Sequence, residues 1–462
     1  MRVLESCSWG EIEKALGARR VGIAASPARG ASIDTRTIEA GDVFFAFKGE
    51  RVDGHDHLKA AYEKGAVCAV IQDEAKAIEG AFALVVRDAE FALFELGRLL
   101  RSKSRAVFVA ITGSAGKTTA KDFTAELLRG RGPVLATRWN LNNHLGVPLT
   151  LCRVETEHWA AVIECGMSHA GELTRLAELV RPKVAAITNV AAAHLEFFKS
   201  TDEIAAAKSE IYGSLGPGDI AVAPVDDSRL VARARTTPAT VRQFGPGSES
   251  DSRAVSMSMT LDGSRFEMER RGVRTSVSIP SAGPHAILNF LLAATIAAEL
   301  GVPDSEIAER AALLKSATNR GGLKRLRDDI LLIDDTYNSN PRALAAAVET
   351  LSLASDRRRV ACVGEMLELG AEGARLHREA GSMIGERVDL LLSVGKLANE
   401  ILSGASTLPP EAKKSYATSS DLAAEVNELV RSRDAVLVKG SRGVRMERVV
   451  EALLSAHPMV EA

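Results

Sequence analysis

The run from Ala106 to Thr119, AVFVAITGSAGKTT, carries an apolar, strand-type segment straight into a glycine-rich turn ending in Lys-Thr-Thr. Those residue types at that spacing make a phosphate-binding loop. Gly113 and Gly116 let the backbone approach phosphate oxygens, amides at the N-terminus of the following helix point at the anion, and Lys117 adds a charge. The nucleotide is therefore expected on Thr112, Gly113, Ser114, Ala115, Gly116, Lys117, Thr118 and Thr119, with the Thr118 hydroxyl placed to ligate Mg2+. The full Walker pattern has a glycine six residues before the lysine; Ile111 stands there, so the loop is a shortened variant.

Further chemistry gathers just after candidate strands, where open α/β sheets hold their ligands. Glu164 ends the apolar run HWAAVIE, from which a carboxylate reaches Mg2+ on a triphosphate directly or through water; alone, it reads as a strand-end acid facing solvent. His194 follows the strand VAAITNV, and a histidine so placed is more often structural unless other ligands converge on it. Lys208, in DEIAAAKSEIY, is an ordinary solvated helix lysine when taken alone. Near metal and shielded from water, its neutral amine could add carbon dioxide to give a carboxylate-like carbamate.

These residues need a framework, and 462 of them exceed one ordinary core, so about three domains are expected. Hydrophobic residues at 46% and charged residues at 26% indicate a globular chain, and a formal net charge of -2 gives no basic field for nucleic acid. No apolar run approaches the roughly 18 residues of a membrane helix, and the N-terminus lacks a signal-peptide core, so a cytoplasmic protein with no membrane insertion is expected. Cys7, Cys68, Cys152, Cys165 and Cys362 are scattered without metal-ligand spacing and read as reduced, buried thiols.

The pattern predicts an α/β protein of three domains. A small N-terminal α/β domain covers residues 1–104, and a central P-loop ATPase-like parallel sheet with a β-hairpin extension covers 105–320. A Rossmann-like C-terminal domain covers 321–462. The extension is read as a hairpin between Arg253 and Pro280 turning at Asp262-Gly263, and Ser316 to Arg325 as a linker.

In their order along the chain, TGSAGKTT, the Glu164 segment, NVAAAHLE and Lys208 resemble the Mur ligases, ATP-dependent amide-forming enzymes. FKGERVDGHD, NLNNHLGVP and DDTYNSNP narrow the resemblance to the MurF type, which joins D-alanyl-D-alanine to UDP-N-acetylmuramoyl-tripeptide. The resemblance implies ATP with two Mg2+ sites, and it spans nearly the whole chain.

By the same resemblance, Asp34, Thr35, Arg36, Lys48, Gly49, Asp53 and His55 hold the UDP end of the donor, while Asn142 and Asn143 lie near the phosphates and the reacting carboxylate. Thr118 and Glu164 serve the first metal, His194 and carbamylated Lys208 the second. Asn289, Arg320 and Asp335 are assigned to the nucleotide; Tyr337, Asn338, Asn340, Lys439 and Arg442 face the incoming dipeptide.

Two departures stand out. Ala286 follows His285 where the family commonly has asparagine, and Gly321-Gly322 occupies the place of a Gly-Arg pair, which implies a displaced or replaced ATP-contacting arginine. The implied reaction activates the tripeptide carboxylate as an acyl phosphate, which the dipeptide amine then attacks; a monomer is expected. A sister ligase acting on a diamino acid or a folate, a P-loop switch and a non-catalytic partner protein are the competing readings.

Overall fold

The computed structural model describes residues 1–49, 52–192, 195–315 and 319–460. They build three sheets, as the fold class requires. The first is five-stranded, in the order Arg19–Val21, Ala83–Val85, Cys68–Ile71, Asp42–Phe45, Gly30–Ser32, parallel except for the Arg19–Val21 edge.

The central sheet has nine strands. Val107–Thr112 lies between Ala160–Glu164 and Val184–Ile187, all parallel, with Val134–Ala136 at one edge and Ile220–Pro224 and Thr240–Phe244 extending the other side. Its inner strands are buried on both faces, which explains their unbroken apolar runs. Beyond Thr240–Phe244 the sheet continues as an antiparallel meander, Ser252–Thr260, Gly263–Arg270, Val273–Ile279. This corrects the single hairpin: a second turn falls at Arg271-Gly272, with φ of 51° and 80°. Positive φ at both central residues suits a tight hairpin turn, but Arg-Gly is a weak signal for one.

The third sheet runs Gly322–Arg325, Leu331–Asp335, Ala435–Lys439, Arg359–Gly364, Leu390–Val394, Lys413–Tyr416, parallel except for its first pair. Gly322–Arg325, expected as linker, is thus an edge strand. A glycine and two basic residues among its four positions disguise it, and lysine and arginine are common on edges.

One buried cluster joins the first two sheets, running from Leu4, Phe45 and Leu96 through Leu151, Ile163 and Ile211. The close contact of helices Ala89–Lys103 and Gly146–Leu151 depends on Gly97, where a Cβ would sit 3.2 Å from Pro148 Cα. The third sheet has separate cores on its two faces, and the central region adds Ala192, Leu195 and Leu261 at the margin.

Candidate active site

The loop after strand Val107–Thr112 is shaped by two close approaches. A Cβ on Gly113, at φ 151°, would lie 1.8 Å from Thr188 Oγ1, and one on Gly116, at φ 78°, 2.5 Å from Asn289 Oδ1. Only glycine fits either position. Helix Lys117–Leu128 begins there, and its ladder opens with Ala120 N–H donating to Gly116 O, so the amides before Ala120 lie in the unpaired first turn, as an anion site requires.

The loop is held by residues that sequence reasoning missed. Thr188 Oγ1 donates to Ala115 O at 2.6 Å; Asn189 donates to the same oxygen at 3.0 Å and accepts from Ala115 N–H at 3.1 Å. Ser114 N–H donates to Asn189 O at 3.0 Å, and Ser114 Oγ to Ala191 O at 3.3 Å. Lys117 Nζ donates to Gly113 O at 2.8 Å, and burial lowers the lysine's pKa. Thr112 is fully buried as the last residue of its strand and lines neither cavity beside the loop.

At the loop's far side the Thr118 hydroxyl donates to Glu164 Oε2 at 2.7 Å, and Asn142 Nδ2 donates to Glu164 Oε1 at 2.8 Å. Glu164 is 1% exposed, and its backbone N–H donates to Thr137 Oγ1 at 2.9 Å. A solvent-facing acid is thereby ruled out. Asn143 caps the next helix instead: its Oδ1 accepts from Gly146 N–H at 2.9 Å while the residue still lines the cavity.

His194 lies outside the described residues. Lys208, on helix Thr201–Ser209, is 1% exposed and has no hydrogen-bonding partner for its amine among the described residues. Burial, with Lys117 nearby, holds its pKa well below the lysine range, which corrects the solvated-lysine reading. Among the described residues no group of three His, Cys, Asp or Glu side chains gathers to hold a metal.

A cavity of about 510 Å³ unites the loop with the third sheet, lined by Lys117, Glu164, Asn289, Arg320, Asp335 and Asn340 among others. Arg320 reaches it, so an arginine remains at the junction despite Gly321-Gly322. Its guanidinium stacks 3.8 Å from the Tyr337 ring centroid, and Arg442 stands 6.0 Å from the same ring. Asn340 caps helix Pro341–Leu351 through Ala343 N–H at 2.9 Å and donates to Ser114 O at 3.4 Å across the interdomain gap. Asn338 Oδ1 accepts from Ser339 N–H at 2.9 Å.

Lys439 lines the same cavity. It is 1% exposed, paired with Asp335 Oδ2 at 2.6 Å and donating to Asn338 O at 2.9 Å. The lysine fixes the Asp334 to Pro341 loop, and Asp335 is tied to it. His285 also borders the cavity, its pKa lowered by burial, with no hydrogen-bonding partner for its Nδ1 among the described residues.

The first sheet's candidates line neither cavity. Asp34 grips Arg36, at 2.6 Å for the shortest contact, and Thr35 O accepts from Lys64 Nζ at 2.9 Å. Lys48 and Asp53 pair as an antiparallel bridge, and Gly49 N–H donates to Val52 O at 2.9 Å. Asp53 Oδ1 accepts from His55 N–H at 2.9 Å and lies 2.6 Å from its Nδ1, while His55 Nε2 accepts from Gln72 N–H at 3.0 Å. Both residues build the loop, which leaves Arg36 and Lys48 as the exposed cations.

Family models match three successive stretches: "Mur ligase family, catalytic domain" over residues 28–94, "Mur ligase middle domain" over 111–297 and "Mur ligase, glutamate ligase domain" over 319–442. The UDP-N-acetylmuramoyl-tripeptide–D-alanyl-D-alanine ligase of Escherichia coli is 36% identical over 425 residues, 91% of this chain and 92% of the relative. A crystal structure of MurF from Acinetobacter baumannii superposes with a TM-score of 0.87 at 31% identity, covering 96% of this chain and 98% of that one. MurF ligase from Thermotoga maritima, solved in complex with ADP, gives 0.81 at 27% identity, covering 93% and 97%. A buried phosphate loop, a carboxylate beside its threonine and this likeness from end to end lead to one conclusion: the chain belongs to the Mur ligase family.

Proposed function

We propose that the chain joins D-alanyl-D-alanine to UDP-N-acetylmuramoyl-tripeptide, cleaving ATP to ADP and phosphate, by way of an acyl phosphate on the tripeptide carboxylate. The observation that carries this reading is the shared cavity, where Lys117 and Glu164 of the central sheet face Asn338 and Asn340 of the third. A carboxylate is a poor electrophile until phosphorylated, and its activated form must be kept from water. An ATP-binding floor closed by a second domain meets both needs.

Thr118 and Glu164 fit Mg2+: both are oxygen donors, their oxygens lie 2.7 Å apart, and Mg2+ needs few protein ligands beside phosphates and water. When bound, it would neutralise charge on the phosphate oxygens. Lys117 adds positive charge at the transferring phosphoryl group, and first-turn amides hold the phosphates. Asn142 orients Glu164. Lys208, buried and with its pKa held well below the lysine range, is suited to carbamylation, and with His194 it would serve a second Mg2+.

On this reading residues 1–104 bind the UDP end through Arg36 and Lys48, 105–320 bind ATP, and 321–462 carry the dipeptide side. The enzyme works as a cytoplasmic monomer. Phosphate release from ATP should require both the UDP-linked tripeptide and D-alanyl-D-alanine, with a pentapeptide product by mass. Release with neither substrate would refute the reading.

A further inference from the structure

A second cavity, of about 1020 Å³, opens where Thr118 meets the third sheet. Its rim combines Arg138 and Trp139 of the central region with Arg320, Tyr337 and Arg442 at the third sheet. Arg138 and Arg320 form no ion pair among the described residues, and Arg442 reaches Glu447 only at 4.0 Å. Asp122 and Glu155 line the same cavity, Asp122 paired with Lys121 at 2.6 Å, but neither forms an ion pair with these three guanidinium groups among the described residues, and the three make a rim suited to an anionic guest.

Trp139 is 67% exposed there, and its backbone sits at φ 50°, inside the turn closed by Leu141 N–H donating to Arg138 O. A bulky residue in left-handed conformation is strained, and such strain clusters where side chains meet ligands. Arg2 of the N-terminal region also lines this cavity, but the donor's nucleotide-end candidates, Arg36 and Lys48, border neither cavity, and one wall of this one comes from the third sheet's loops. That wall favours the acceptor over the donor.

We propose that Arg138 and Trp139 complete the acceptor side of the active site. Arg138 and Arg442 clamp the carboxylate of the incoming dipeptide across the interdomain cleft, and the Trp139 indole limits the side chain that its last residue can carry. Both are specificity-determining residues, and the assignment rests on the ligase reading above.

The test uses the full chain with ATP and the UDP-linked tripeptide, varying D-alanyl-D-alanine, and with hydroxylamine replacing the dipeptide to trap the activated carboxylate. Arg138→Ala should raise the dipeptide KM about tenfold or more, leaving the tripeptide KM and hydroxamate formation near the parent's. Trp139→Ala should shift the kcat/KM ratio toward D-alanyl-D-leucine by about tenfold. Trp139→Gly should weaken dipeptide binding without lowering the melting temperature, an outcome that a purely structural tryptophan would not give.

A raised tripeptide KM or a lost hydroxamate signal with an unchanged dipeptide KM would assign the cleft to the donor and overturn the proposal. Unchanged kinetics in all variants would overturn it too. A parent protein that forms neither hydroxamate nor pentapeptide would sink the ligase reading, and this assignment with it.

Discussion

The phosphate loop and the arginine rim stand at two cavities that share Arg320 and Tyr337, yet they are built in opposite ways. In the loop, Ala115 is held through both its carbonyl and its amide, Lys117 bonds Gly113, and Glu164 takes one bond on each oxygen. At the rim, Arg138 and Arg320 form no ion pair among the described residues, and Arg442 reaches Glu447 only at 4.0 Å. A triphosphate presents the same shape at every turnover, so a prebuilt cradle minimises reorganisation. Groups that read a peptide are left unpaired until the peptide arrives. The separate apolar cores of the third sheet fit this division, since the part that carries one wall of the rim must be able to move.

Substitutions at the floor should break the comparison hardest. Lys117→Ala should lower kcat by about 10²–10³-fold while leaving the fold intact, measured by steady-state phosphate release and circular dichroism. Lys208→Ala should lose about 10–100-fold and recover part of its rate with added short carboxylic acids. A variant as active as the parent would discard the carbamate. Asn189→Ala removes a side chain that bonds Ala115 on both sides, so the KM for ATP should rise by about tenfold. An unchanged KM would mean that the loop is held without this pin.

Lys208 also sharpens the comparison through stability. Its folded pKa lies well below 10.5, so the unfolded chain binds the extra proton in the window between the two values, and stability rises with pH across that window. In carbon dioxide-free buffer Lys208→Met should therefore be more stable near neutral pH, by ~1–3 kcal/mol, with the gain shrinking as pH rises toward the unfolded value. Denaturant melts at a series of pH values would read this directly. The smallest effect belongs to Arg36→Ala in the first sheet: an exposed cation there should raise the KM for the UDP-linked donor roughly threefold.

Legibility in the sequence followed the range of the interactions. The phosphate loop was readable because Gly113, Gly116 and Lys117 act through local backbone geometry. Thr188 and Asn189 were not, since they grip a loop more than 70 positions away, and nothing near them signals that contact. The parallel strands announced themselves as apolar runs, whereas Gly322–Arg325 hid behind edge-strand polarity and the third meander strand behind an Arg-Gly turn. Lys439 and His55 read as ligand contacts by residue type; their partners show that they also shape loops, and Lys439 lines the cavity as well. Thr118 and Glu164 meet because Thr118 sits in the first turn of the helix after strand Val107–Thr112, and that strand pairs with the one Glu164 ends.

Transfer of an oxygen atom distinguishes carboxylate activation from plain hydrolysis of ATP. With the tripeptide's terminal carboxylate labelled with oxygen-18 and D-alanyl-D-alanine present, an acyl phosphate route should deliver one labelled oxygen to each inorganic phosphate released, read by mass spectrometry. Phosphate that takes its new oxygen only from water would mean that ATP is hydrolysed without activating the carboxylate, and the account would be wrong.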